Sequence, residues 1–166
     1  MDSAELIDLL RSLSREQFVA RMPRPFLLVA ARSLEDEEAG FETQVQDPIE
    51  STGRRSSAAR KWVILEIGKA PGNPYPDRIS VGRARNCDVV LRDPSVSKLH
   101  AHFLPRRNDN SGAFDLVDLD SQNGTWINDV TVPSGAPSPV HSGDNLVFGS
   151  VGARLVDAGL LHDLLK

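Results

Sequence analysis

The chain has one cysteine in 166 residues, so no internal disulfide can form. Cys87 stands in the apolar run C-D-V-V-L, where a small buried hydrophobe is the expected role. So little cysteine fits a reducing, cytoplasmic setting. No apolar run reaches the roughly 18–20 residues that span a bilayer. The opening M-D-S-A-E-L lacks the basic-then-apolar pattern of a signal peptide. Basic excess is missing too: 19 Lys+Arg face 23 Asp+Glu, a formal net charge of −4. That argues against a nucleic-acid or membrane-surface binder, which usually carries surplus positive charge. There is no internal repeat and no heptad seam long enough for a coiled coil. Nucleophile-elbow G-x-S-x-G, P-loop and H-E-x-x-H motifs are all lacking. The expectation is a protein that is not an enzyme and needs neither cofactor nor metal.

Eleven prolines and twelve glycines, with little helical periodicity after residue 61, favour a turn-rich β module. Ahead of it, residues 2–22 read as two short helices. Asp2 with Glu5, and Ser14 with Gln17, have the spacing of reciprocal N-terminal caps. Leu6, Leu9, Leu10 and Leu13 recur at helical spacing, and Pro23 and Pro25 stop the second helix. Phe26 to Ala30 is short and apolar, as a buried strand would be. The pattern predicts a helical and strand extension over 1–33 and a flexible linker over 34–60. The linker holds an acidic run at Glu35 to Glu38 and then Ser, Thr, Gly and arginines. A β domain follows over 61–157, and a leucine-rich C-terminal helix over 158–166.

Within the β domain, candidate strands at 62–67, 78–82, 88–91, 100–104, 114–119, 125–128, 145–149 and 153–156 alternate with Gly/Pro/Asn/Asp clusters. Short strands at this spacing suggest a sandwich. Three of the intervening loops carry chemistry. V-G-R-A-R-N-C-D ends a strand, S-V-S-K-L-H opens another, and D-S-Q-N-G-T precedes a third. A planar guanidinium, a hydroxyl, an ammonium and an amide converging on one spot suit a phosphate group. Arg83, Arg85, Arg92 and Lys98 cluster in the first two loops, giving a local basic patch on a near-neutral body. From Lys61 onward the charges nearly balance, at 11 Lys+Arg and 12 Asp+Glu. Each residue also has a plainer reading. A lone arginine is usually solvated, a turn serine bonds its own backbone, and Asn-Gly needs no ligand to make a tight turn. His100 and His102 form an H-x-H pair on one face of a strand, but no further ligand stands at metal-binding spacing. Ser97 and His100 are three residues apart, which is no recognised hydrolase arrangement.

The order G-R, S-x-x-H, N-G-T, with strand-like runs between, resembles the forkhead-associated (FHA) domain over about residues 62–157. The resemblance implies an all-β fold: a β-sandwich of about 10–11 strands, here with a short helical N-terminal extension and a short C-terminal helix. It implies phosphothreonine-peptide binding through Arg83, Ser97, Lys98, Ser121, Gln122 and Asn123. Gly82, His100, Gly124 and Thr125 would support the site, with His100 bracing the loops rather than reacting, and Ser95 would touch ligand residues after the phosphothreonine. The implied partner is a phosphothreonine-bearing protein in signalling, such as a serine/threonine kinase or its substrate, with no nucleic acid and no membrane. The alternatives are an FHA-like interaction module without phospho-dependence, and a hydrolase. Where the family often has a second Asn-Gly, this chain has Asn128-Asp129, so a differently shaped hairpin is expected there. In the linker, Arg54-Arg55-Ser56-Ser57 resembles a basophilic kinase site, making Ser57, Thr43 and Thr52 candidate phosphosites whose occupancy could regulate the binding site in cis.

Overall fold

A computed structural model describes residues 3–30, 62–106 and 113–166. Three helices, α1 (Ser3–Ser12), α2 (Arg15–Arg21) and α3 (Ala158–Leu165), accompany eleven strands. The strands are β1 (Phe26–Ala30), β2 (Trp62–Glu66), β3 (Ile79–Gly82), β4 (Val89–Val90), β5 (Ala101–Pro105), β6 (Phe114–Asp118), β7 (Thr125–Ile127), β8 (Val130–Thr131), β9 (Ser138–Val140), β10 (Asn145–Phe148) and β11 (Val151–Val156). They form two sheets, ordered β2-β1-β11-β10-β7-β8 and β4-β3-β5-β6-β9. Strands β8 and β9, only two and three residues long, add to those expected from the pattern. The Asp2 cap, the 34–60 segment and Thr43, Thr52 and Ser57 lie outside the described residues.

The largest difference from the sequence expectation concerns Phe26–Ala30. The pattern assigns this run to an extension ahead of a domain beginning near residue 61. In the structure β1 lies inside the larger sheet, antiparallel to β2 on one side and β11 on the other. The run is apolar without alternation because both of its faces are covered. Leu27 and Val29 point into the core between the sheets, with Val81, Phe103, Leu116, Leu146 and Phe148. Phe26 and Leu28 point the other way, into a second apolar layer with Leu6, Leu10, Phe18, Trp62, Val156 and Leu161. The helices therefore form a third layer over the outer face of the larger sheet.

Local chemistry sets the helix ends. Ser14 Oγ accepts from Gln17 N at 3.3 Å while Ser14 N donates to Gln17 Oε1 at 3.0 Å, the reciprocal cap expected from their spacing. Asp157 Oδ1 accepts from Leu160 N at 2.8 Å and starts α3 directly after β11.

The Asn128-Asp129 turn joins β7 to β8 as a two-residue hairpin, with Ile127 opposite Val130. Asn128 (φ 47°) and Asp129 (φ 66°) both take the left-handed conformation of a type I′ turn, so the turn forms without glycine. Asn128 compensates through its side chain. Its Oδ1 accepts from Asn145 N at 2.9 Å, and its Nδ2 donates to Asp144 Oδ1 at 2.9 Å.

At one end of the sandwich the β3–β4, β4–β5 and β6–β7 loops meet the Gly149-Ser150 turn between β10 and β11.

Candidate functional site

Gly82 sets how closely these loops pack. A Cβ there would stand 2.3 Å from Lys98 O and 3.0 Å from Cys87 Sγ, so only glycine lets the end of β3 lie against residues 97–98. Arg83 N then donates to Ser97 O at 3.0 Å and Ala84 N to Lys98 O at 3.1 Å. The exposed Arg83 side chain donates through Nε to Val96 O at 3.1 Å. This single bond orients the guanidinium, and its two terminal NH2 groups have no partner among the described residues. Cys87 is buried as expected, and burial pushes its thiol pKa up.

The β4–β5 and β6–β7 loops are joined by a buried polar network centred on His100. The ring accepts from Ser97 N at Nδ1 (3.0 Å), which places its proton on Nε2. That N–H lies 3.0 Å from Gly124 O and 3.1 Å from Thr125 Oγ1. Thr125 Oγ1 donates to Asp118 Oδ2 at 2.5 Å, and Asp118 also accepts from Ser121 N (2.9 Å) and Ser121 Oγ (2.6 Å). Burial holds the His100 pKa below its ordinary value, only partly offset by the Gly124 bond and the Asp118 charge, so the ring is a neutral brace. Burial raises the Asp118 pKa, but the bonds from Ser121 and Thr125 outweigh it and keep the carboxyl ionised. The ring meets the main chain of Ser97, not its hydroxyl, so the two do not form a nucleophile–base pair. Ser97 Oγ instead accepts from Gln122 N at 3.0 Å, and its own proton has no acceptor among the described residues.

Asn123 Nδ2 donates to Ser95 O at 2.8 Å, which clamps the third loop onto the second and leaves the amide oxygen exposed. Lys98, next to Ser97 on the second loop, is exposed. The structure thus brings Arg83, Ser97, Gln122 and Asn123 together at one end of the sandwich, with Lys98 exposed next to Ser97. Ser121, expected beside Asn123 as a ligand contact, differs. Its hydroxyl donates to Asp118 and accepts from Gly124 N at 3.0 Å, so it is committed inside the loop. Ser95, expected to reach the ligand, is likewise engaged. Its Oγ lies 2.6 Å from Asp93 Oδ1 and 2.7 Å from Ser150 Oγ, and it accepts from Ser150 N at 2.9 Å. Gly149 (φ +62°) allows that approach, since a Cβ there would fall 2.5 Å from Ser95 O.

Asp93, Asp118 and Gly149 are the supporting residues that sequence reasoning missed. For Asp93 the signal was present, because an aspartate two residues before a serine can accept from that residue's N–H. For Asp118, three residues ahead of Ser121, the same logic applies, but its contact with Thr125 and its place beside His100 come only from folding.

Residues 79–149 match the family model described as "FHA domain". This segment is an FHA domain. The matched segment starts at β3, and β1 and β2, which lie outside it, belong to the larger sheet of the same sandwich. The chain is 29% identical over 97 residues to the ABC transporter ATP-binding/permease protein Rv1747 of Mycobacterium tuberculosis, covering 58% of this chain and 10% of that protein. It is 36% identical over 74 residues to the DNA damage response protein kinase DUN1 of Saccharomyces cerevisiae, covering 42% of this chain and 14% of the kinase. The chain thus spans only a small part of the curated relatives it matches. The fold is similar to that of the yeast Dun1 FHA domain in complex with a doubly phosphorylated peptide. The TM-score is 0.50 at 22% identity, over 81% of this chain and 74% of that one.

Proposed function

We propose that this FHA domain captures phosphothreonine peptides of a signalling partner at the Arg83–Ser97–Lys98–Asn123 surface. The observation that carries the reading is the pre-set arginine. Arg83 Nε is fixed on Val96 O while both terminal NH2 groups stay available for the two-pronged grip that a phosphate accepts. The Ser97 hydroxyl proton and the Lys98 ammonium add a donor and a charge, and the exposed amide of Asn123 suits a peptide backbone. On this reading the domain acts as a binding module. The test is titration of the chain with labelled phosphothreonine, phosphoserine and unphosphorylated peptides. Affinity should be micromolar, about −7 to −9 kcal/mol. Phosphoserine should bind less tightly by about 1 kcal/mol for the missing methyl contact. Arg83→Ala should remove measurable binding with the thermal midpoint nearly unchanged. Equal affinity for the unphosphorylated peptide would falsify the assignment and favour a phospho-independent interaction module.

A second proposal concerns Thr43, Thr52 and Ser57. Ala30 pairs with Trp62 and Val29 with Ala153, so the chain leaves β1 and re-enters β2 at the end of the sheet that carries the Gly149-Ser150 turn. Phosphorylation at these residues, the threonines above all, would compete in cis with outside peptides. Mapping sites after kinase treatment and repeating the titration tests this, and unchanged affinity excludes it.

A further inference from the structure

We infer that the FHA domain has a second recognition element beside the phosphate site, a groove that takes an apolar side chain and an adjacent acidic residue from the same bound peptide. This rests on the phosphopeptide reading above. The groove, about 830 Å³, lies between the 68–78 connection, the β3–β4 loop and the start of β5. Among the described residues only four large apolar side chains are strongly exposed, and two of them, Tyr75 (60%) and Leu99 (48%), line this groove. Neither is needed for the core, and an exposed apolar pair in one concavity marks an interaction surface.

The wall is built in advance of any ligand. The Asp88 carboxylate is fully buried and holds the 68–78 connection in place. It accepts from Ala70 N at 2.7 Å, Lys69 Nζ at 2.9 Å, Asn73 Nδ2 at 2.9 Å and Ser80 N at 2.8 Å. Tyr75 N donates to Asn73 Oδ1 at 3.3 Å, and the Arg78 guanidinium lies 5.5 Å from the Tyr75 ring centroid. Tyr75 is therefore offered on a fixed loop, which lowers the ordering cost of binding.

Charge complementarity decides the occupant. The lining includes Arg78, Arg85 and Lys98 and no Asp or Glu, on a chain whose net charge is −4. Arg78 is paired with Asp77 at 2.8 Å, but Arg85 and Lys98 have no ion-pair partner among the described residues. An acidic residue beside an apolar one fits this rim and floor. The groove is continuous with the phosphate site, since Lys98 borders both and Leu99 lies between Lys98 and His100. Arg85 is two residues from Arg83, so their Cα atoms are within about 7 Å. An extended peptide advances about 3.3 Å per residue, which places the occupant about two to four residues from the phosphothreonine.

The test is fluorescence anisotropy on the full chain with a phosphothreonine peptide flanked by Ala and Gly. Two derivatives carry a Leu-Glu pair about two to four residues before or after the phosphothreonine, and unphosphorylated forms of all three are included. One Leu-Glu derivative should bind about fivefold to tenfold more tightly than the plain peptide, the gain expected from one half-buried apolar side chain and one ion pair. Tyr75→Ala and Leu99→Ala should each cancel that gain while changing the affinity of the plain phosphopeptide less than about twofold. The proposal is overturned if neither derivative gains, or if the gain survives both substitutions. It is also overturned if gel filtration shows a dimer that Tyr75→Ala dissolves, because the occupant would then be a second copy of the chain. If the plain peptide binds equally with and without phosphate, the phosphosite reading fails on its own. The groove is then judged by whether the unphosphorylated Leu-Glu peptides bind and lose that binding on Tyr75→Ala.

Discussion

The outer face of the larger sheet and the loop end of the sandwich are both buried, but by opposite chemistry. Over β1, β2 and β11 the helices bring Leu6, Leu10, Phe18 and Leu161 onto Phe26, Leu28 and Trp62. At the loop end His100, Thr125 and Asp118 are buried and hydrogen-bonded to one another or to the loops. Apolar contacts are non-directional, so the helical layer tolerates exchange of one hydrophobe for another of similar volume. The polar network is directional, and removing one member leaves others buried without partners. The helical layer therefore governs whether the sheet is covered, and the network governs where Arg83, Ser97 and Asn123 stand.

The largest expected effect falls on the apolar side. Phe18 is fully buried, and Phe18→Ala should cost about 3–5 kcal/mol in chemical denaturation. Peptide affinity should stay within about twofold while the chain is folded. A large loss of affinity in a folded Phe18→Ala protein would show that the two regions are coupled. His100→Ala should cost about 2–4 kcal/mol, since it strands Ser97 N and Gly124 O and opens a cavity against Phe148. Here affinity should fall as well, because the loops lose their register. Normal folding with normal binding would mean that His100 does not brace the site. Thr125→Val keeps the shape but deletes the hydroxyl between His100 and Asp118. A cost of about 1–3 kcal/mol is expected, measured as a shift of the denaturation midpoint.

Acid should separate the regions further. Burial lowers the pKa of His100 in the folded state, and burial with the nearby Arg78 charge does the same for His102. The unfolded chain therefore takes up these protons first. The stabilisation they give is complete above the ordinary histidine pKa of about 6.5 and is lost as pH falls through that value toward the folded pKa. Thermal midpoints of the peptide-free protein should drop between pH 7.5 and 5.5, and His100→Asn should flatten that drop. A slope unchanged in His100→Asn and reduced in His102→Asn would assign the whole effect to His102 and remove His100 from it. The smallest change is expected away from both regions, at the β7–β8 hairpin. Asp129 holds a φ of 66°, which glycine adopts without cost, so Asp129→Gly should stabilise by up to about 1 kcal/mol with binding unaltered.

Much of this molecule is legible in local patterns. The Ser14–Gln17 cap, the strand-forming runs from Trp62 onward and the G-R, S-x-x-H, N-G-T order depend on near neighbours and on backbone preferences carried by each residue. They place Arg83, Ser97, Lys98 and Asn123 on loops that adjoin β3, β5 and β7. Asn128-Asp129 shows the limit of such reasoning. The dipeptide alone does not show that the amide of Asn128 holds the turn by bonding to Asp144 and Asn145, sixteen and seventeen residues away.

Contacts between distant residues were decided only by tertiary structure. Phe26–Ala30 reads as a buried strand, but nothing local says that its partners are residues 62–66 and 153–156, across two long gaps in sequence. Ser95 and Ser121 look like ligand contacts because they are polar and lie on the right loops. Folding brings Ser150 to the one and Asp118 to the other, and their hydroxyls are consumed there. The sequence by itself determined which residues could meet a phosphate, because that depends on residue chemistry and on turn-forming dipeptides. The tertiary structure decided which of them are left unpaired to do so, because a hydrogen-bonding group engaged by a residue far along the chain is no longer available to a ligand.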